Sequence, residues 1–213
     1  MMLVLMMSSS ACSELVIRVT QGNDKPTIVA VSPIALNGVQ IKDDIGSIVE
    51  ADLTRSGLFS VIPRRDMLAF PSTTKDVYYR DWRMLGAEYL VVGAMTLIDE
   101  GRYRLDFSLL NVTAQKTEFN HRVSGTKTQM RDLAHLISDK IYQEITGIRG
   151  AFSTRLAYVT AKIEDGKYVY RLNVSDADGA RETLMLESPE PIMSPSWAPS
   201  GKELAYVSFE TGR

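Results

Sequence analysis

The chain has 213 residues, 45% of them hydrophobic, which is enough to bury a sizeable core in one or two domains. Its 24 basic and 26 acidic residues give a net charge of −2 with no basic block, so nothing argues for nucleic acid or an anionic membrane surface. Cys12 is the single cysteine, which excludes an internal disulfide.

The first stretch, MMLVLMMSSSACS, is apolar, then small, and carries no charge before Glu14. It reads as the apolar and cleavage regions of a secretory signal, residues 1–13, with the cut after Ala11-Cys12-Ser13. The positive leading region is missing, so the chain is expected to be clipped in front. Two other readings stay open. The stretch is an apolar N-terminus without further meaning, or Cys12 is a lipoprotein site, although Ser9 stands where a large aliphatic residue is usual. Nowhere else do about 18 apolar residues run together, so no membrane insertion is expected.

From Glu14 the pattern mixes helix and strand. ELVIRVT (14–20) is a short β-rich segment with no clear partner. TIVAVSPI (27–34) is apolar and β-branched, a strand. Ile41, Ile45, Ile48, Val49 and Leu53 recur at three- and four-residue spacing, an amphipathic helix that Gly57 stops. LFSVIP (58–63) is a strand, and Tyr78, Trp82 and Leu85 mark a short helix ending near Gly86. EYLVVGAMTLID (88–99) is a continuous apolar run, as expected of a central strand. After the turn at Glu100-Gly101, Tyr103, Leu105, Phe107 and Leu109 alternate with polar residues, and KTEFNHRVSG (116–125) can pair back on them. Leu133, Ile137, Ile141 and Ile145 then give a second amphipathic helix over about 128–146, with Gly147 just beyond it. The order β-α-β-α-β-β-β-α predicts an α/β (α+β) domain, residues 27–147, with two main helices packed on a mixed sheet.

No helical period survives after Gly150. FSTRLAYVTA (152–161), KYVYRLNVSD (167–176) and RETLMLES (181–188) are short strands separated by Glu164-Asp165-Gly166 and by Asp178-Gly179. RLAYVT at 155–160 recurs as ELAYVS at 203–208, an offset of 48 residues from Leu156 to Leu204. Three strands, with room for a fourth near Ile192–Trp197, lie between the copies. One four-stranded sheet per about 40–50 residues is the period of a β-propeller blade. Residues 148–213 are therefore expected to hold about one blade and the first strand of the next, with further blades beyond the sequence. Chance likeness between two amphipathic strands is the alternative, which the shared LAYV disfavours. A lone blade leaves both faces without neighbours, so weaker protection is expected there than in residues 27–147.

Chemistry-bearing motifs are missing: no phosphate loop, no Gly-x-Gly-x-x-Gly, no Cys-x-x-Cys and no Gly-x-Ser-x-Gly. His121 and His135 are isolated, and His135 is expected on a polar or partly buried helix face. No three or four ligands are spaced for a metal. Asp43-Asp44 and Asp99-Glu100 sit beside a helix start and a turn, which favours dipole and turn roles over acid–base work. Catalytic, cofactor and metal residues are thus expected to be none.

SPSWAPSGKELAYVSFETGR (194–213) resembles the propeller repeat of the TolB family, Pro-x-Trp-Ser-Pro-Asp-Gly-Lys-x-Leu-Ala-Tyr-Val-Ser, with Ala198 and Ser200 departing from it. IYQEITGIRGAFSTRLAYV (141–159) is similar to that family's junction between N-terminal domain and propeller. The resemblance spans roughly Glu14 to Arg213. It implies a non-enzymatic periplasmic scaffold of the Tol–Pal system, supporting envelope integrity and cell division. Implied partners are the inner-membrane protein TolA and the outer-membrane lipoprotein Pal, with colicins exploiting the Pal-binding surface of the propeller. The family's TolA-binding segment aligns here with residues 14–26, placing TolA contacts at Glu14, Leu15, Val16, Ile17, Arg18, Val19 and Thr20. A strand that adds to another protein's sheet edge suits those residues, and so does an ordinary edge strand of the first domain. The alternative function is the propeller of a prolyl-oligopeptidase-like or tricorn-like peptidase, which requires a hydrolase domain not present in this sequence.

Sequencing the N-terminus of the exported protein tests the signal reading. The expected first residue is Glu14; a lipid-modified Cys12 in that place would refute it.

Overall fold

The structure is a computed structural model that describes residues 25–210, so the segment 14–20 and the final residues 211–213 lie outside it. β1 (Thr27–Val31) is hydrogen-bonded on both edges, to β3 (Phe59–Val61) and to β4 (Tyr89–Asp99), parallel to each. Burial on both faces explains its unbroken apolar run. Val29 and Val31 enter one core and Ala30 the other. A three-residue strand, β2 (Ala35–Asn37), pairs parallel with the far half of β4. Sequence reading missed it, because three residues cannot show a period.

β4, β5 (Arg102–Asn111) and β6 (Lys116–Thr126) form an antiparallel meander, so the sheet runs β3-β1-β4-β5-β6 with β2 beside β1's strand partner β4. Helices α1 (Ile45–Arg55) and α3 (Met130–Thr146) cover one face. There Ile45, Val49, Leu53, Ile137 and Ile141 pack with Val91, Leu105 and Leu109. The other face carries a smaller core, in which Trp82 of α2 (Tyr79–Met84) packs with Leu90, Val92 and Leu110.

α1 starts at Ile45 rather than Ile41 because Asp44 caps it, accepting from the Ser47 N–H at 3.1 Å. Arg64 donates to the same carboxylate at 2.5 Å, and this hydrogen bond holds the Asp44 pKa down at about 2. Of Asp43-Asp44, expected in dipole and turn roles at the helix start, Asp44 is the N-cap. α3 ends at Gly147, whose φ of 75° is left-handed and whose N–H reaches Gln143 O at 2.8 Å.

After a short link the chain is all β. β7 (Arg155–Glu164), β8 (Lys167–Asp176) and β9 (Thr183–Ser188) make an antiparallel three-stranded sheet. β10 (Ile192–Trp197) does not become its fourth strand, as the sequence suggested. It pairs antiparallel with β11 (Leu204–Ser208) in a second sheet. The sheet boundary therefore falls before β10. Since Leu156 of β7 matches Leu204 of β11 in the repeat, the strand equivalent to β10 would sit on the outer edge of β7, which is unpaired among the described residues. Ala157, Tyr158 and Val159 are shared with β11 for the same reason: both are the second strand of a unit.

The architecture is thus a mixed α/β domain with helices on its sheet, followed by the antiparallel sheets of a partial propeller. Leu172, Val174 and Ile192 are buried in the β region, but Ile163, Tyr168, Leu184, Met185, Met193, Val207 and Phe209 are exposed. Exposed apolar strand faces carry little burial energy to hold their hydrogen bonds closed. Hydrogen exchange of the full chain is expected to be at least about tenfold faster in β9 and β11 than in β4 and β5. Equal protection would show that these sheets are stable by themselves.

Candidate functional site

The junction between α3 and the turn from β8 to β9 gathers most of the buried charge. Its origin is local. On α1, Asp52 lies three and four residues from Val49 and Ile48, so the helix period carries a carboxylate onto the apolar face. On α3, His135 follows Leu133 and Ala134 into the same interhelical contact. Asp52 is fully buried and His135 2% exposed, and Asp52 Oδ2 lies 2.7 Å from His135 Nδ1. Arg55 donates to the other Asp52 oxygen at 2.5 Å. His135 is therefore deeper than its expected polar or partly buried position, and its burial is offset by a carboxylate that sequence reading did not single out. The signal was present in Asp52's place on the apolar stripe.

The turn after β8 supplies the opposite wall. Asp176 and Asp178 each place Oδ2 3.9 Å from His135 Nε2, which has no hydrogen-bond partner among the described residues. Arg131 of α3 pairs with Asp178 and lies 3.5 Å from Asp176. Arg181 binds Asp176 through two contacts, at 2.7 and 2.9 Å, and pairs with Asp132 of α3. Burial disfavours the ionised Asp178, but the Ala180 N–H and Arg131 outweigh it, so its pKa is lowered. The carboxylates flanking Arg181 strengthen its hold on the proton. Arg181 sits at φ 51°, in the left-handed region, a turn geometry that lets its guanidinium reach back to the helix.

One turn further along α3, Asp139 accepts the backbone N–H groups of Phe152 at 2.7 Å and Ser153 at 3.2 Å. The link passes so close that a Cβ on Gly150 would stand 2.6 Å from the Asp139 Cα. Phe152 packs edge-on against Tyr142, and Tyr142 against Phe59. Arg131, His135 and Asp139 thus form a polar stripe at four-residue spacing, while Leu133, Ile137 and Ile141 face the sheet.

The remaining sequence candidates are dispersed. Glu14, Leu15, Val16, Ile17, Arg18, Val19 and Thr20 lie outside the described residues. His121 is exposed and stacks on Phe107 with ring centroids 5.8 Å apart. Asp99-Glu100 stands at the β4–β5 turn. A groove of about 580 Å³ on the open part of the sheet is lined by Asn37, Thr96, Asp106, Ser108, Asn120 and Arg122. Asp106 is already paired with Arg122 at 2.5 Å, and Ser108 with Asn120 at 2.6 Å. Among the described residues, no helix is long and apolar enough to cross a membrane.

Residues 15–117 match the TolB amino-terminal domain and residues 142–213 the TolB beta propeller domain. Proteins called Tol-Pal system protein TolB are similar over nearly the whole chain. The one from Marinomonas sp. is 48% identical over 96% of this chain and 48% of its own length. The one from Hahella chejuensis is 43% identical over 99% and 50%. The chain thus spans about half the length of these curated relatives. A crystal structure of TolB from Acinetobacter baumannii superposes with a TM-score of 0.76 and 33% identity, covering 89% of this chain and 46% of that one.

Asp52→Ala would leave His135 buried without its partner. Breaking a buried pair from one side costs about 3–5 kcal/mol. The expected loss of unfolding free energy, read by chemical denaturation, is of that size; a loss under about 1 kcal/mol would mean that the α1–α3 contact does not depend on it.

Proposed function

We propose, for a chain that belongs to the TolB family, that it acts as a periplasmic scaffold of the Tol–Pal system and links TolA to Pal. The observation that carries this reading is the ordered pair of matches, amino-terminal domain then propeller, together with the common fold over 89% of the chain. Residues 1–13 serve as an export signal and 14–26 as the TolA-binding segment. Residues 27–147 form the sheet domain, and the propeller begins at 148.

Several features support binding rather than turnover. At the junction Asp178 pairs with Arg131 and Asp176 with Arg181, and β7 to β11 expose large apolar side chains, among them Leu156, Ile163, Leu184, Met185 and Val207, that further strands could cover. Alternation puts Leu15, Ile17 and Val19 on one side of the amino-terminal segment and Val16, Arg18 and Thr20 on the other. Added to a sheet edge of TolA, such a segment would draw affinity from main-chain hydrogen bonds and specificity from one face. Pal, and the colicins that use the same surface, would be bound by the propeller.

Calorimetric titration tests both assignments. The chain cut at Glu14 is expected to bind the TolA C-terminal domain weakly but measurably and not to bind Pal. Ile17→Pro removes a ladder donor and fixes φ, so it should abolish TolA binding. TolA binding that survives deletion of residues 14–20 would overturn the segment assignment, and tight Pal binding by this chain would overturn the assignment of Pal to later blades.

A further inference from the structure

We propose that His135, Asp176 and Asp178 form a binding site for a divalent transition-metal ion, Zn²⁺ above all, between the sheet domain and the first β sheet of the propeller. The inference does not depend on the partner assignments above. It starts from the unpartnered nitrogen. Asp52, paired with Arg55, is a carboxylate and can only accept, so the 2.7 Å contact assigns the proton to His135 Nδ1. Nε2 is the nitrogen left facing the turn, and a metal ion would take its lone pair in place of any proton there. That atom is buried and, among the described residues, without a hydrogen bond, a condition that is costly unless a ligand meets it.

Nε2 is aimed between two carboxylates, each with Oδ2 3.9 Å away, and the three ligand atoms all lie within 4.8 Å of one another. Zinc bonds of about 2.0–2.2 Å put tetrahedral ligand atoms about 3.4 Å apart, so small carboxylate rotations close the site. Asp52 behind His135 is the outer carboxylate that fixes the tautomer and orientation of a metal-binding imidazole. One imidazole with two carboxylates suits zinc better than calcium or magnesium, which prefer all-oxygen shells. The spacing rules of sequence could not reveal the site, because its ligands come from a helix and a turn about forty residues apart.

The ion must compete with arginines. Around Nε2 stand the carboxylates of Asp52, Asp132, Asp176 and Asp178 and the guanidiniums of Arg55, Arg131 and Arg181, four against three. Arg131, 20% exposed, would swing away from Asp178, while Arg181 can keep Asp176 through its other oxygen, Oδ1. That exchange lowers the affinity below that of a dedicated structural site.

The test uses the full chain carrying Cys12→Ser and His121→Gln, which removes the single cysteine and the second histidine as competing ligands. Zn²⁺ is titrated by competition with a chromophoric chelator, and Co²⁺ by its visible ligand-field bands. One equivalent should bind, and His135→Gln and Asp178→Asn should each weaken zinc binding by more than about tenfold. If His135→Gln fails to fold, Asp178→Asn, which leaves the buried His135–Asp52 contact in place, decides. Absence of binding below about 1 mM, unchanged affinity in Asp178→Asn, or Co²⁺ bands that persist without His135 would each overturn the site.

Discussion

α3 must satisfy two neighbours at once, and the rest of the structure depends on how it does so. One stripe of it is apolar and closes the core over the sheet. The adjoining stripe is charged and receives the turn between β8 and β9. The two meet at His135, which is buried against Asp52 on one side and faces Asp176 and Asp178 on the other. Removing one member of such a cluster exposes the others as uncompensated charge, so the α1–α3 contact and the seating of the first propeller sheet are not independent.

Charge complementarity also explains why the seating is specific. Apolar contact alone would let two surfaces slide, since burial is non-directional. Bidentate Arg181 on Asp176 and the Asp139 carboxylate on two successive backbone N–H groups are directional, and they fix the angle at which the chain leaves the helix. The edge-on aromatic series Phe59, Tyr142 and Phe152 ties the link to the sheet domain.

The elements that repeat with a clear period were legible in the sequence. Ile45, Ile48, Val49 and Leu53 announced α1, and the alternation from Tyr103 to Leu109 announced β5, because each period reflects one buried face. Pairing was less legible. Ile192–Trp197 reads as a strand, but which sheet it joins depends on partners distant in sequence, and the count of strands between repeats misassigned it. The repeat itself held the answer, since Ala205-Tyr206-Val207 of β11 follows β10, and so Ala157-Tyr158-Val159 calls for a strand ahead of β7. The junction was the least legible part. Asp52 on an apolar stripe was a visible anomaly, but the convergence of Asp176, Asp178 and Arg181 on His135 is a property of tertiary packing that no local pattern encodes.

The two stripes of α3 share one rigid cylinder, so their relative phase is set by residue count. Each residue advances an α-helix by about 100°. A single insertion between Arg131 and Asp139 would leave the residues before it facing as they do and turn those after it by more than a quarter of a circle. Placed ahead of Ile137, it would force a choice: either Ile137, Ile141 and Asp139 leave the core and the link together, or the helix turns to keep them and Leu133 and His135 lose their places. A loop could absorb such a change, but the passage at Gly150 is too close to Asp139 to offer slack. The length of this segment is therefore as strictly constrained as its composition, and variation in length is to be accommodated in the hairpins at Asp165-Gly166 and Glu100-Gly101, where an added residue displaces only solvent.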